Sequence, residues 1–304
     1  MDRQTFNSGF LLIISAYIMW GLFPLYWVLL AEINSIHILA YRIVFSLFFV
    51  GGILIAGKNT TWLKFYKDRR KCLLMILAAL TITFNWGLFI YAVNSGQTIE
   101  AALGYYINPL LSIVLGLLFF KEKFKALQVV AFGLAFVGVL ILTVFTGRLP
   151  LISLGLAFSF GLYGLLKKTV KLSALESLGA ETLIAAPLGI LLLFTSFGES
   201  GEIGFPGLGG LEYWLTLPLF TLFMLMLSGI VTSIPLIIFS KGVKMIPLST
   251  LGFIQFLSPT MSFIIGYFVF REYFPVQNFI AFGFIWSAAI LYIISLKTAQ
   301  RLSR

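Results

Sequence analysis

Long uninterrupted apolar segments alternate with short polar ones along nearly the whole chain. Nine of the ten segments reach the roughly 20 residues that a helix needs to cross a bilayer core, whereas the sixth is shorter. Because lipid offers no partner for backbone N–H and C=O groups, continuous segments of this kind are predicted to be helices. The pattern predicts an all-α polytopic membrane protein with ten transmembrane helices. The ten segments are 10–30, 36–56, 72–93, 99–120, 124–146, 151–166, 177–197, 215–239, 248–270 and 276–296.

The composition agrees with this pattern. Of the 304 residues, 60% are hydrophobic and only 11% are charged, where an average soluble domain has about 25% charged residues. The single histidine, His37, and the single cysteine, Cys72, leave no disulfide framework, metal cluster or catalytic Cys/His pair. We therefore expect no cofactor, no metal and no enzymatic activity.

The basic residues predict the orientation. Eighteen lysines and arginines fall in the two tails and in alternate loops, whereas only Arg148 and Arg271 fall in the other loops, and Arg42 lies inside a span. Basic loops stay on the cytoplasmic side. This predicts a bacterial cytoplasmic (inner) membrane protein with both termini cytoplasmic, and it accounts for the net charge of +10 without a nucleic-acid partner.

The chain contains an internal repeat at a shift of 150 residues. Residues 109–133 and 259–283 are identical at nine of 25 positions, among them Pro109/Pro259, Ser112/Ser262 and Glu122/Glu272. The matched spans are the fourth and the ninth, and an odd offset of five makes the two copies cross the membrane in opposite directions. The sequence predicts two inverted five-helix repeats, 1–147 and 148–304, an architecture typical of alternating-access transporters.

Several segments of the sequence resemble those of a known transporter family. The chain resembles RarD-type permeases of the EamA family, in the drug/metabolite transporter superfamily, and the resemblance covers 10–296. It implies ten helices, two EamA repeats and export of small metabolites or drugs, and it leaves the substrate open. The strings are WGLFPLYW (20–27), YRIVFS (41–46), NWGLFIYAVNSG (85–96), EAALGYYINPLLS (100–112), LGFIQFLSPTMSF (251–263) and FIWSAAILY (284–292).

Polar and aromatic residues within the spans are the candidates for a substrate cavity, because polar groups in lipid need a partner. Packing against lipid or neighbouring helices is the alternative for each tryptophan and for the small residues. Pro109 and Pro259 are either simple kinks or hinges between inward and outward states. The cavity candidates are Trp20, Asn85, Trp86, Tyr105, Asn108, Tyr163, Thr232, Gln255 and Ser258.

Ionisable residues are scarce inside the spans, and two of them have two interpretations each. Arg42 either reaches the outer interface and pairs with Glu32 or Glu100, or faces the cavity and binds a carboxylate or phosphate of the substrate. Glu100 is either exposed at the outer interface or a candidate for ion coupling. Glu181, and Lys167 with it, are expected to reach the cytoplasmic interface by extending along the helix.

The expected function is therefore a secondary transporter, an exporter with a small-molecule substrate. Its other expected partners are the lipid bilayer and, as one arrangement, a second copy in a homodimer. The alternatives are a channel or lipid-translocating protein, which would want a more continuous line of polar residues, and a sensor or assembly factor, for which the loops provide no output domain.

The charge distribution generates a topology test. With Cys72 replaced by serine, single cysteines at residues 67, 125, 200 and 303 are exposed to a membrane-impermeant thiol reagent added outside intact cells. We expect only the residue-200 thiol to react, because basic loops are retained inside. Labelling of residue 67 or 125 from outside would overturn the orientation.

Overall fold

The computed structural model describes residues 3–94, 97–145, 150–194, 196–197, 203–204, 216–271, 273 and 275–301. Ten helices within these residues are long and apolar enough to cross a membrane, which confirms the predicted number of spans. They are α1 (Arg3–Gly21), α2 (Ser35–Ala56), α3 (Arg69–Asn94), α4 (Thr98–Phe120), α5 (Ala126–Phe145), α6 (Leu151–Thr169), α7 (Ala174–Leu193), α8 (Leu219–Gly242), α9 (in two segments, Leu248–Gln255 and Leu257–Phe268) and α10 (Val276–Arg301).

Short elements extend or connect these helices. After Leu22, α1 continues as a short helix over Phe23–Trp27 and a 3-10 turn over Val28–Leu30. A 3-10 helix over Thr61–Lys67 joins α2 to α3. Between α7 and α8, the two-residue strands β1 (Ser196–Phe197) and β2 (Ile203–Gly204) pair antiparallel.

The structure corrects two predicted boundaries. The sixth span is not short, because α6 continues through Lys167 and Lys168 to Thr169 and has 19 residues. The first helix begins at Arg3, seven residues before the predicted start. The predicted positions Arg148, Glu272 and Phe274, and most of the loop 198–214, lie outside the described residues.

Two helices begin next to a carboxylate that comes from a distant part of the chain. A carboxylate oxygen of Glu100 accepts a hydrogen bond from the backbone N–H of Ile152 at 3.2 Å, at the start of α6. Glu122, after α4, accepts from the N–H groups of Leu248 and Ser249 at 2.7 and 2.9 Å, at the start of α9. The first N–H groups of a helix have no partner within it, and negative charge is favourable there. These contacts therefore fix where α6 and α9 start.

The helix pairs in extensive contact follow a regular pattern. Three pairs join helices whose numbers differ by five: α2 with α7, α4 with α9, and α5 with α10. The others come in couples, namely α4–α6 with α9–α1, α2–α8 with α7–α3, and α3–α6 with α8–α1. When five is added to every helix number, with α1 counted as following α10, each pair becomes either itself or the other pair of its couple.

The backbone has one further equivalence at the same spacing as the sequence repeat. Lys121, directly after α4, has a φ of 51°, and Arg271, just after α9, has a φ of 55°. The left-handed region is unfavourable for residues with a side chain. Two basic residues 150 positions apart thus share a rare conformation at the ends of corresponding helices.

Glycine allows α8 to approach α2 closely. A Cβ atom on Gly229 would lie 2.4 Å from the carbonyl carbon of Phe45 and 2.6 Å from the backbone nitrogen of Ser46. The hydroxyl of Ser46 donates to the carbonyl oxygen of Gly229 at 3.0 Å. Small residues permit this backbone-to-backbone packing in lipid.

This contact predicts that Gly229→Ala destabilises the protein. The added methyl group meets backbone atoms, which cannot rotate away, so we expect a loss of about 1–3 kcal/mol and a lower melting temperature in detergent. The matched control is Gly133→Ala on α5, where a Cβ atom would meet nothing within 4 Å. That variant should melt at or above the wild-type temperature, since alanine is the better helix former by up to about 1 kcal/mol. Equal melting temperatures for the two variants would contradict the close α2–α8 contact.

Candidate functional site

The guanidinium of Arg42 lies among side chains from three other parts of the bundle. Its Cζ atom is 5.0 Å from the ring centroid of Trp27, just beyond α1, and 4.7 Å from that of Trp86 on α3. Its Nε donates a hydrogen bond to Oγ1 of Thr232 on α8 at 3.0 Å. Two indole faces and one hydroxyl therefore fix the orientation of the charged group, and cation–π attraction partly offsets its desolvation.

The charge of Arg42 has no counterion among the described residues. Among the described residues the ion pairs are Lys71–Asp68 and Lys167–Glu181. Arg42 therefore pairs with neither Glu32 nor Glu100. The side chain is half-buried, and no hydrogen bond from its terminal nitrogens is formed to the described residues. Arginine presents five N–H donors in a planar fork that matches a carboxylate or phosphate. The end of the fork is thus available to an anion.

Two tyrosines border this site. Tyr26 and Tyr105 both interact electrostatically with the guanidinium of Arg42. Tyr105 is 40% exposed, and its ring lies 5.9 Å from that of Phe89. With Trp27 and Trp86 they give the surroundings of Arg42 an aromatic character. Sequence reasoning selected Trp86, Tyr105, Thr232 and Arg42, but it missed Trp27 and Tyr26, which belong to the conspicuous string WGLFPLYW.

Trp20 and Tyr163 lie in a different place, in a packed aromatic cluster of α1, α6 and α8. The ring of Trp20 contacts those of Tyr17 and Phe239 at centroid distances of 5.0 and 5.5 Å. Tyr163 is fully buried and stacks on Phe239 at 6.2 Å. The structure therefore does not bring these two candidates to Arg42.

Asn85 joins two helices through hydrogen bonds. Its amide nitrogen donates to the carbonyl oxygen of Leu156 at 2.9 Å and to Oγ of Ser159 at 2.8 Å, both on α6. Asn85 is 2% exposed. Both contacts satisfy a buried donor, so this residue fastens α3 to α6.

Asn108 and Gln255 are buried amides whose oxygens have no hydrogen-bond partner among the described residues. The Gln255 side chain also interacts with the hydroxyl of Tyr17 on α1. The two amides lie on α4 and α9, which pack against each other. Burying a polar group without a hydrogen bond is costly. Ser258, three residues after Gln255, is half-buried in the second segment of α9.

The two prolines affect their helices differently. Pro109 lies inside a continuous α4. Pro259 follows a break in α9 at Phe256, and its carbonyl oxygen accepts a hydrogen bond from the hydroxyl of Tyr106 at 3.3 Å. Proline cannot donate to the carbonyl one turn earlier, so the helix is loosened around Gln255 and Phe256.

Glu100 is buried, which corrects the expectation of interfacial exposure. It is 3% exposed, and its carboxylate contacts the start of α6. The packing of α4 on α6 buries Glu100. The position of Glu100 along its own span does not indicate this burial, because it depends on a neighbouring helix. Within the described residues, no group of three or more His, Cys, Asp or Glu side chains could hold a metal ion.

Glu181 and Lys167 are also buried, contrary to the expectation that they reach the interface. The Nζ atom of Lys167 is 2.6 Å from Oε1 of Glu181, and the two side chains are 0% and 2% exposed. Ser177 donates to the same oxygen at 2.9 Å, and the hydroxyl of Tyr163 donates to Oε2 at 2.9 Å. Only a short segment, from Val170 to Ser173, connects α6 to α7, so long side chains near the adjoining helix ends can reach each other. This short connection is the feature of the sequence that could have indicated the pair.

A small cavity lies between Trp86 and this ion pair. Its volume is about 10 Å³, which is about the room that one water molecule needs. Its lining includes Ile43, Trp86, Tyr163, Glu181 and Thr182. Trp86 therefore contacts Arg42 and also lines the cavity that reaches Glu181.

Comparisons with known proteins agree on one family. The family model described as "EamA-like transporter family" matches residues 7–144. The chain is 42% identical to "Protein RarD" of Streptomyces exfoliatus, over 97% of this chain and 91% of that protein. It is 38% identical to "Uncharacterized transporter YojE" of Bacillus subtilis (strain 168), over 100% of this chain and 99% of that protein. A more distant relative, "Chloramphenicol-sensitive protein RarD" of Pseudomonas aeruginosa, is 25% identical over 94% of this chain and 93% of that protein.

The fold is also found among solved structures. A structure described only as "Crystal structure of protein" superposes with a TM-score of 0.67 over 93% of this chain and 96% of that chain. The two sequences are 17% identical, so the likeness concerns the polytopic helical fold alone.

Proposed function

The chain belongs to the EamA-like transporter family, and we propose that it exports small metabolites or drug-like molecules and binds an anionic group of the substrate at Arg42. As a member of this family it is a multi-pass transporter of the drug/metabolite superfamily in the bacterial cytoplasmic membrane. Export, the anionic group and the mechanism below are the proposal.

The observation that carries the proposal is a guanidinium that packs against two indoles and has no counterion among the residues that the structure describes. Structural arginines inside membranes normally pair with a carboxylate or with backbone carbonyls. Arg42 instead keeps the end of its fork unused within the described residues. A carboxylate bound there would form two parallel, charge-assisted hydrogen bonds. Trp27, Trp86 and Tyr105 would provide flat apolar surfaces for the rest of the molecule.

The packing of the helices supports an alternating-access mechanism. Every extensive helix pair has a counterpart at a shift of five helices, and Lys121 and Arg271 share a rare backbone conformation. Both features are expected of two inverted repeats, 1–147 and 148–304. In this mechanism the repeats rock against each other around a shared site, and the loosened turn before Pro259 is a candidate hinge, with Pro109 as its counterpart.

Arg42 provides the test of the anion site. Export is measured in inside-out vesicles with matched pairs of probes, benzoate with benzamide and indole-3-acetate with indole-3-acetamide. We expect Arg42→Gln to lower carboxylate transport about 10- to 100-fold, because charged hydrogen bonds contribute about 1.5–3 kcal/mol. Arg42→Lys should lose less, and the neutral amides should change little.

The control for this test is Arg70→Gln, which removes a basic residue next to a loop. Its transport of all four probes should remain at the wild-type level. Equal losses of carboxylate and amide transport in Arg42→Gln would make Arg42 structural and remove the basis for an anionic substrate.

The unpartnered amide oxygens give a second test. Asn108→Leu and Gln255→Leu should lower transport while the melting temperature stays the same or rises, because each removes a buried oxygen that has no hydrogen bond to any described residue. Asn85→Leu should instead lower the melting temperature, because it breaks two interhelical bonds. Full transport in both the Asn108 and Gln255 variants would place the substrate elsewhere.

A further inference from the structure

The Lys167–Glu181 pair is closed off in this structure. Oε1 of Glu181 accepts from Lys167 at 2.6 Å and from Ser177 at 2.9 Å, and Oε2 accepts from Tyr163 at 2.9 Å. Lys167 donates also to Ser177 at 2.7 Å. A carboxylate with this set of partners is stable only while Lys167 remains beside it, since one buried charge without the other is strongly unfavourable.

Stability alone does not account for the pair. Replacing a buried ion pair by well-packed apolar side chains is often neutral or stabilising. An ionisable residue inside a membrane span is by default a candidate for function. None of the contacts of Arg42 involves Lys167 or Glu181, so the pair is separate from the anion site.

The position of Glu181 corresponds to that of Arg42. Arg42 lies seven residues after Ser35, the first residue of α2, and Glu181 lies seven residues after Ala174, the first residue of α7. The two helices pack against each other. In the proposed arrangement of inverted repeats the two helices cross the membrane in opposite directions, which places Arg42 toward the outside and Glu181 toward the cytoplasm, each seven residues from the start of its helix.

A direct structural link joins the two charges. Trp86 packs on the guanidinium of Arg42 at 4.7 Å and lines the small cavity that ends at Glu181 and Tyr163. Ile43, the residue after Arg42, lines the same cavity. A substrate that displaces Trp86 from Arg42 therefore changes the packing around Glu181.

We propose that Glu181 is a proton-binding site that couples proton movement to transport, with Lys167 as the group that its protonation releases. This inference rests on the proposed function. A hydronium ion from the cytoplasmic water gives its proton to a carboxylate oxygen of Glu181, leaving neutral Glu181 and a water molecule. Lys167 keeps its positive charge and loses its counterion, so it is stable only after water enters. Protonation thus favours an open cytoplasmic end, and return of the proton to water allows the pair to close.

Two other titratable groups interact with the Lys167–Glu181 pair. Tyr163 on α6 interacts with Glu181. Lys244, which follows the end of α8, interacts electrostatically with both Lys167 and Glu181. From α3, the described side chains near the pair are uncharged, namely Met75 at Ser177 and Thr83 and Trp86 at the cavity. From α2, the described side chain at the cavity is Ile43, which is also uncharged. Glu181 is therefore the only carboxyl among the described groups that interact with Lys167.

The test uses the full-length protein in proteoliposomes without substrate. Infrared difference spectra are recorded from about pH 8 to about pH 4, a range that brackets ordinary carboxyl titration. Every carboxyl that protonates in this range adds to the carboxylic-acid C=O band, and the chain has 11 Asp and Glu residues, so the spectra are compared between variants. We expect the wild-type spectrum to contain one component of this band that is missing from the Glu181→Gln spectrum. Glu100→Gln is the matched control, because Glu100 is also buried but contacts a helix start, and it should keep that component. A Glu181→Gln spectrum identical to that of wild type, or a component that is lost only in Glu100→Gln, would overturn the proposal.

The double variant Lys167→Met/Glu181→Gln guards against misfolding, because it leaves no buried charge unpaired. It should be folded, and its export of the probe carboxylates should change less than twofold between about pH 8 and about pH 6, a range in which carboxyl groups of this kind stay ionised. A rate coupled to one proton changes by up to about tenfold per pH unit, and wild type should show that dependence. A double variant with the wild-type pH dependence would make the pair structural. If the Arg42 variants behave as expected but Glu181 does not titrate, the proposal of proton coupling is rejected and the proposal of an anion site at Arg42 is retained.

Discussion

The hydrocarbon core of a bilayer cannot form hydrogen bonds to protein, and this one constraint explains most of the polar contacts between the helices. Each buried side-chain donor or acceptor needs a partner within the protein, either in its own helix or in a neighbouring one. Glu100 and Glu122 satisfy the first N–H groups of α6 and α9, and Asn85 donates to a carbonyl and a hydroxyl of α6. These contacts join segments that are distant in sequence, so they set the relative positions of the helices as well as satisfying polar groups.

The same constraint identifies the exceptions as candidates for function. The terminal nitrogens of Arg42 and the oxygens of Asn108 and Gln255 have no partner among the described residues. A group left unsatisfied in a membrane is costly, and a substrate or water in a cavity can supply what the protein does not. The pattern of satisfied and unsatisfied groups therefore separates Asn85, which fastens two helices, from Asn108 and Gln255, although all three are buried amides.

The sequence predicted the fold better than it predicted contacts between helices. Runs of apolar residues report the number of spans directly, because their length must match the bilayer. They do not report a helix that continues past its apolar part, which is why α6 reaches Thr169 through two lysines. Charges were judged by their depth in their own span, and this failed for Glu100, Lys167 and Glu181. Their burial depends on which neighbouring helix covers them, and only the three-dimensional packing contains that information.

The opposite charges on α2 and α7 bear on how the two inverted repeats proposed above would give transport a direction. Two identical inverted repeats would present the same site to both sides of the membrane, and neither side would differ chemically. Here the corresponding positions hold Arg42, which has no counterion among the described residues, and Glu181, which already has Lys167. In the proposed mechanism Arg42 can bind an anion directly, whereas Glu181 must first separate from Lys167. Trp86 contacts Arg42 and lines the cavity that also includes Glu181, so in that mechanism a displacement of Trp86 would affect both charges. The asymmetry of the charges, more than the symmetry of the helices, would then give the proposed transport its preferred direction.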